Sequence, residues 1–234
     1  MKIPQEWNDF KEEKYKPISD NYICVGFGTD KEPDSSYCLS SFAHAMKDNW
    51  KEGMKVLDYG CGKARLCNFM SKRLKDFAYY GVEPSNSATK HSENAIEYAN
   101  EQFGMDKRIN LGFIGEEVEK EAIETVDTVL LLSIFTHTSI ESTEKILKKL
   151  LPVVERGGVI VFSMLMSEEY NLLGTNAYGY ENSYGVVRNT EQQIEDIAKT
   201  LNVDISLSNI FLAEGDFEHS IYRVVKKWES IAIF

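Results

Sequence analysis

Apolar runs alternate with segments of helical character through the middle of the chain, from residue 54 to residue 166. Short apolar runs at 56–59, 77–82 and 109–114 are each followed closely by glycine or an acidic residue. The run at 126–135 is apolar through its centre, which is typical of a strand buried on both faces of a parallel sheet. Strands and helices that alternate in this way predict a parallel sheet with helices on both faces and right-handed crossovers.

The flanking segments complete this pattern. Predicted helices cover 36–50, 64–74, 86–103, 140–154 and 190–201, and predicted later strands cover 159–164, 203–211 and 221–227. Thr190, with Gln193 three positions later, is a capping box that marks the start of the last helix. Gly157 and Gly158 are expected to end the fourth of these helices and allow a tight turn into the next strand.

The run 56–66 joins an apolar strand to a glycine turn that has an acid in front of it. Asp58 precedes Gly60 and Gly62, and Ala64 begins the predicted helix. Glycine lets the chain turn sharply and lets a ligand approach the backbone, while the free amide groups of a helix start point at that ligand. This order of residues indicates a site for a nucleoside-containing cofactor. The alternative is a tight strand-to-helix turn that binds nothing.

Glu83 closes the next apolar run, about twenty residues after the glycine turn. It is therefore expected at the carboxyl end of a strand, the edge where open α/β sheets bind ligands. A carboxylate there can accept hydrogen bonds from both hydroxyls of a ribose. The alternative is that Glu83 caps the helix predicted at 86–103.

These features resemble the first motif of class I S-adenosylmethionine-dependent methyltransferases, in which an acid is followed by three alternate glycines. Asp58, Gly60 and Gly62 match, and Ala64 replaces the third glycine. The resemblance covers residues 54–166 best. It implies an α/β fold with a Rossmann-like, seven-stranded, mostly parallel sheet, helices on both faces and a C-terminal antiparallel strand.

The resemblance also implies S-adenosylmethionine as cofactor. The residues it assigns to cofactor binding are Asp58, Gly60, Cys61, Gly62, Glu83, Gly115, Glu116, Ser133 and Ile134. Glu116 would lie near the adenine amino group, although Glu116 and Glu117 could instead form a solvated turn. His137 is the candidate catalytic residue, as a general base for an acceptor that carries a proton. Its alternative role is to order the loop after the fourth strand by hydrogen bonding.

The methyl acceptor is expected between residues 22–37 and the loop 170–184, above the carboxyl ends of the first and fourth strands. Tyr178, Tyr180 and Tyr184 in that loop offer large apolar faces, and their hydroxyls could orient a polar acceptor. The alternative is that these tyrosines pack the loop on the sheet.

Composition narrows the choice of acceptor and location. The net charge of -11 weighs against a nucleic-acid substrate, because phosphate contacts require clustered Lys and Arg. A small molecule is the expected acceptor, with a residue on a protein as the alternative. Neither an apolar run of membrane-spanning length nor a secretion signal is visible in the sequence, so a cytoplasmic protein without membrane contact is expected. Cysteine and histidine spacings predict no metal site.

A single domain is predicted over residues 1–234, since 43% hydrophobic residues suffice for one sizeable core. It would comprise an N-terminal cap segment at 1–50, a cofactor-binding core at 54–166, and a loop, helix and terminal hairpin at 167–234. Two other functions stay open: a nicotinamide-dependent dehydrogenase, and a non-catalytic module that binds S-adenosylmethionine. The dehydrogenase fingerprint requires Gly or Ala at the position where this chain has Arg65. The sequence does not predict an oligomeric state.

Overall fold

The structure is a computed structural model, and it describes a defined set of residues. These are residues 49–62, 64–71, 73–84, 97, 99–114, 125–173, 186–214 and 217–227. Residues 36–48 of the helix predicted at 36–50, and most of the first part of the helix predicted at 86–103, lie outside this set. Residues 99–103 are helical, as predicted.

One mixed sheet organises the described part of the chain. Its strands are β1 (Met54–Tyr59), β2 (Phe77–Pro84), β3 (Ile109–Ile114), β4 (Val126–Leu131), β5 (Val154–Met166), β6 (Asn171–Leu173), β7 (Val186–Asn189), β8 (Val203–Glu214) and β9 (Phe217–Lys226). Their order is β3-β2-β1-β4-β5-β7-β6, and β9 pairs with both β5 and β8. Strands β1 to β5 pair in parallel, whereas β9 is antiparallel to both of its neighbours.

The predicted α/β fold with a C-terminal antiparallel pair is therefore confirmed. The described residues contain nine strands instead of seven, because the short β6 and β7 form in the stretch after β5. β7 continues the sheet through two residue pairs at the end of β5, Leu165 with Arg188 and Met166 with Asn189. Strands this short carry too few residues for a pattern of alternation to reveal them.

Helices cover both faces of the sheet, as predicted. The described helices are α1 (Arg65–Ser71), α2 (Ile140–Leu150) and α3 (Glu191–Leu201). α1 buries Leu66 and Phe69 in one hydrophobic core, while α2 and α3 bury Leu147 and Ile194 in the core on the opposite face. Val56 of β1 lies in the first core, whereas Leu57 and Tyr59 lie in the second, so β1 carries buried apolar residues on both faces. The predicted capping box at Thr190 is present at the start of α3.

The connection between α2 and β5 differs from the prediction. α2 ends at Leu150, and a short 3-10 turn containing Pro152 follows, since proline lacks the N–H that would continue the helix. β5 then begins at Val154, which pairs with Val126, and the register shifts before the next pair. The glycines of this segment thus lie inside β5, where a Cβ on Gly158 would come within 2.6 Å of the Asp127 carbonyl oxygen. They permit a β-bulge, and they do not end a helix.

None of the helices in the described ranges has both the length and the apolar character needed to cross a membrane.

Candidate functional site

The strand order creates a topological switch between β1 and β4. β2 and β3 lie on one side of β1, while β4 and β5 lie on the other. In open α/β sheets, ligands bind in the crevice outside the carboxyl ends of the strands at such a point. The segments that leave β1, β2 and β4 at this edge therefore form the candidate site.

The glycine turn after β1 has the sharp geometry that the sequence predicts. Gly60 and Gly62 both adopt left-handed backbone conformations, with φ of 81° and 53°. These conformations cost little for glycine because it has no Cβ. The Gly60 N–H donates to the Val82 carbonyl oxygen at 2.8 Å, which ties the turn to β2.

Glu83 joins the glycine turn directly. The backbone N–H of Gly62 donates to the Oε1 atom of Glu83, and the Glu83 side chain is largely buried. The carboxylate at the end of β2 is thus fixed beside the turn that follows β1. The structure brings together these two predicted site residues, which are 21 positions apart in the chain.

Ala64, which stands where the family has its third glycine, is also left-handed, with φ of 54°. A left-handed conformation costs a residue that has a Cβ roughly 1–2 kcal/mol. The Ala64 methyl group is fully buried against the core beneath α1. The position therefore requires both a small side chain and a left-handed backbone, and the sequence indicated the first of these requirements alone.

Asp58 lies inside the protein, beneath the glycine turn. Its carboxylate is 5% exposed and accepts a hydrogen bond from the Tyr79 hydroxyl at 2.6 Å. Burial raises the pKa of Asp58 from 3.8 to about 6, against the smaller lowering effects of the Tyr79 hydrogen bond and the Arg65 charge. Asp58 therefore braces β1 against β2 on the α1 side of the sheet.

Cys61 is packed into the same region. Its thiol is buried, and burial raises the thiol pKa well above its ordinary value, so Cys61 is not a reactive nucleophile here. A Cβ on Gly81 would lie 2.9 Å from the Cys61 sulfur and 2.8 Å from the Tyr79 ring. Gly81 on β2, which the sequence pattern does not single out, thus makes room for Cys61 and Tyr79 by its lack of a side chain.

The loop after β4 begins with a second strained residue. Ser133 has a left-handed φ of 56° and is 4% exposed. Its N–H donates to the Ser163 Oγ atom at 2.8 Å, and its carbonyl oxygen accepts from the Thr136 Oγ1 atom at 2.8 Å. Strain of this kind persists where the surroundings hold a residue firmly, and it clusters at functional sites. No pattern in the sequence distinguishes Ser163 or Thr136 from other serines and threonines.

Ile134 and His137 follow in the same turn. Ile134 is buried in the core on the α2 side, and its carbonyl oxygen accepts the His137 N–H at 3.0 Å. His137 is partly exposed and lies just before Ser139, the N-cap of α2. Both positions lie in the turn that follows β4, one of the two strands at the switch point.

The remaining predicted site residues lie outside the described part of the chain. They are Gly115, Glu116, Tyr178, Tyr180 and Tyr184, together with the segment 22–37. In the described ranges, no group of three or more His, Cys, Asp or Glu side chains could hold a metal ion.

Solved structures of similar fold include several methyltransferases. Magnesium protoporphyrin IX methyltransferase from Synechocystis, solved with bound SAM, superposes with a TM-score of 0.55 at 16% identity, covering 81% of this chain and 78% of that one. A S-adenosylmethionine-dependent methyltransferase from Clostridium acetobutylicum gives a TM-score of 0.54 at 14% identity, with 81% and 91% covered. One from Methanosarcina mazei gives 0.54 at 15% identity, with 80% and 98% covered. At these identities the similarity concerns the fold.

The strand order and the glycine turn define the fold class of the class I methyltransferases. A family model described as a methyltransferase domain matches residues 35–206, and the chain belongs to this family. The resemblance to class I S-adenosylmethionine-dependent methyltransferases is thereby confirmed, and methyl transfer is the activity of the family. A search of curated protein sequences gave no match.

Proposed function

We propose that this protein transfers a methyl group from S-adenosylmethionine to a small-molecule acceptor, and that the crevice between β1 and β4 holds the cofactor. The observation that carries the proposal is the hydrogen bond between Gly62 and Glu83, which fixes an acidic side chain beside a left-handed glycine turn at the switch point. Both features suit a nucleoside. The turn has no Cβ to obstruct the ligand at Gly60 and Gly62, and the carboxylate matches a pair of ribose hydroxyls.

Glu83 can serve the turn and the ligand together. An ionised carboxylate has two oxygens and about four lone-pair sites, so accepting one backbone N–H leaves capacity for ribose hydroxyls. The Gly62 N–H holds the carboxylate in one orientation before the ligand arrives, which lowers the entropic cost of binding.

The other cofactor assignments belong to the same proposal. Asp58 and Cys61 are buried beneath the turn, so we expect them to affect cofactor binding through the shape of the turn. Ser133 and Ile134 would border the cofactor from β4. Gly115 and Glu116 remain the candidates for the adenine end.

When bound, the cofactor supplies a methyl group activated by a sulfonium sulfur. The acceptor's lone pair would form the new bond to the methyl carbon as the carbon–sulfur bond breaks, and the electron pair of that bond would go to sulfur. The leaving thioether requires no proton, so holding the acceptor in line can supply most of the acceleration. His137 would take a proton if the acceptor carries one at the reacting atom.

The acceptor class rests on charge and on the loop that follows β5. The net charge of -11 disfavours a nucleic acid, which leaves a small molecule, with a protein side chain as the second choice. Tyr178, Tyr180 and Tyr184 are the proposed acceptor-site residues. The similarity in fold to a porphyrin methyltransferase agrees with a small-molecule acceptor.

Calorimetry and a labelled-methyl assay test this function together. S-adenosylmethionine and S-adenosylhomocysteine should bind, NAD should not, and label from the cofactor should appear on a small molecule in cell extract. Binding of NAD without binding of S-adenosylmethionine would identify a dehydrogenase. Cofactor binding with no transfer to any fraction of the extract would identify a non-catalytic binding module.

A further inference from the structure

Ser133 is held in its left-handed conformation by one side chain on β5 and by one in its own turn. Neither of its backbone hydrogen bonds is a sheet bond: Ser163 on β5 accepts from its N–H, and Thr136 donates to its carbonyl oxygen, both at 2.8 Å. Ser163 and Thr136 are themselves buried. A buried serine with φ of 56° is uncommon, and it persists where its surroundings leave no relaxed alternative.

The position of Ser133 relates this arrangement to the proposed cofactor site. β1 pairs with β4 in parallel up to Asp58 with Leu130, and the same register continued by three residues would place Cys61 of the glycine turn beside Ser133. The chain then turns so that Ile134 and Phe135 enter the core, which leaves Ser133 at the carboxyl edge of the sheet.

The Ser133 hydroxyl has no hydrogen-bond partner among the residues that the structure describes, although it is buried. A buried polar atom without a partner is costly and calls for an explanation. At the end of β4, next to the switch point, a polar group of a bound ligand would satisfy this hydroxyl.

We propose that Ser163 and Thr136 are positioning residues: they keep Ser133 left-handed so that its hydroxyl contacts bound S-adenosylmethionine. This inference rests on the proposed function. The same arrangement reaches β7, because the Thr136 carbonyl oxygen accepts the Val187 N–H at 2.8 Å. β7, which follows the predicted acceptor loop in the sequence, is therefore anchored to one of the two residues that hold Ser133.

A double-mutant cycle tests this role through cofactor binding, without turnover. Ser163→Ala and Thr136→Val are made alone and in a Ser133→Gly background, and S-adenosylhomocysteine binding is measured by calorimetry. Each single change should raise Kd about 3- to 10-fold, the effect of one hydrogen bond. Ser133→Gly should also weaken binding, because the hydroxyl is lost. Glycine needs no support to stay left-handed, so adding Ser163→Ala to Ser133→Gly should change Kd little further.

Three results would overturn the inference. One is an unchanged Kd in both Ser163→Ala and Thr136→Val, with a lower urea midpoint, since that is a purely structural role. Another is an equal loss of affinity from Ser163→Ala with serine or glycine at position 133, since Ser163 would then act independently of Ser133. The third is no binding by the unmodified protein, which would overturn the proposed function as well. Ser206→Ala, at an exposed position on β8, is the matched control and should change neither Kd nor the midpoint.

Discussion

Replacing Asp58 by asparagine should change how the stability of the protein depends on pH. The Asp58 carboxylate is buried beneath the glycine turn, and burial raises its pKa from 3.8 to about 6. The folded protein therefore binds this proton more tightly than the unfolded chain does. It follows that the contribution of Asp58 to stability is complete below pH 3.8 and is lost as the pH rises through about 6.

The size of the effect follows from the two pKa values. Each pKa unit corresponds to about 1.4 kcal/mol, so a rise from 3.8 to about 6 makes the ionised carboxylate cost the folded state about 3 kcal/mol at neutral pH. Asparagine can still accept the Tyr79 hydrogen bond through its side-chain oxygen but has no proton to lose. The stability of Asp58→Asn relative to the unmodified protein should thus increase by about 2.5 kcal/mol between about pH 4 and pH 7.5, because the first part of the difference already develops below pH 4.

Urea unfolding without ligand, repeated across this pH range for both proteins, measures the difference directly. Subtracting the two curves removes the titration of other groups near the turn, such as Glu83 and Cys61. Asp196→Asn, an exposed carboxylate on α3 with 62% side-chain exposure, is the control for removing a surface charge. The reasoning would be refuted if the difference in the free energy of unfolding between Asp58→Asn and the unmodified protein stayed constant with pH or shrank as the pH rose. Either result would mean that Asp58 is not a buried carboxyl group with a raised pKa.

Three further predictions concern the turn, the opposite edge of the sheet and the loop after β5. Ala64→Val should lower the free energy of unfolding by about 2 kcal/mol or more, because a β-branched residue is strained at positive φ, while Ala64→Gly should change it by less than about 1 kcal/mol. Thermal unfolding that gives the two variants the same stability would contradict this prediction. Asp127→Ala should lower the free energy of unfolding, measured in urea, by about 2–4 kcal/mol, because it leaves the Lys55 N–H and the Lys51 ammonium without their carboxylate. Lys51→Ala should lower it by under about 1 kcal/mol, because the Lys51 side chain is 41% exposed. Replacing residues 172–182 by a short Gly/Ser linker should abolish methyl transfer and spare cofactor binding; normal turnover by that variant would place the acceptor site elsewhere.

The sequence contained enough to predict the sheet and the glycine turn. The left-handed glycines of the turn and the position of Glu83 at the end of β2 could be predicted because they depend on local features, namely a missing Cβ and an acid that closes an apolar run. The helix start at Thr190 was equally local, since a capping box is encoded within four residues.

Other features depend on contacts between distant segments, and the sequence could not reveal them. The Ser163 hydroxyl meets the Ser133 N–H across 30 residues of chain, and serine is too common for the pair to stand out. The bulge at Gly158 arises because β5 passes close to the Asp127 carbonyl oxygen, a tertiary contact. The orientation of Asp58 toward Tyr79 could not be predicted either. The sequence motif of an acid before a glycine turn is the same whether the side chain faces a ligand or the core.

The central claim is that the glycine turn and Glu83 form a cofactor site. Its most direct test is calorimetric titration of S-adenosylhomocysteine into the unmodified protein and into Glu83→Ala. The unmodified protein should bind, and the variant should bind about 10- to 150-fold more weakly, the loss expected for hydrogen bonds to a charged group. Glu195→Ala, which removes an exposed carboxylate on α3, should bind as the unmodified protein does. Equal affinity for the unmodified protein and Glu83→Ala, with both folded, would contradict the account.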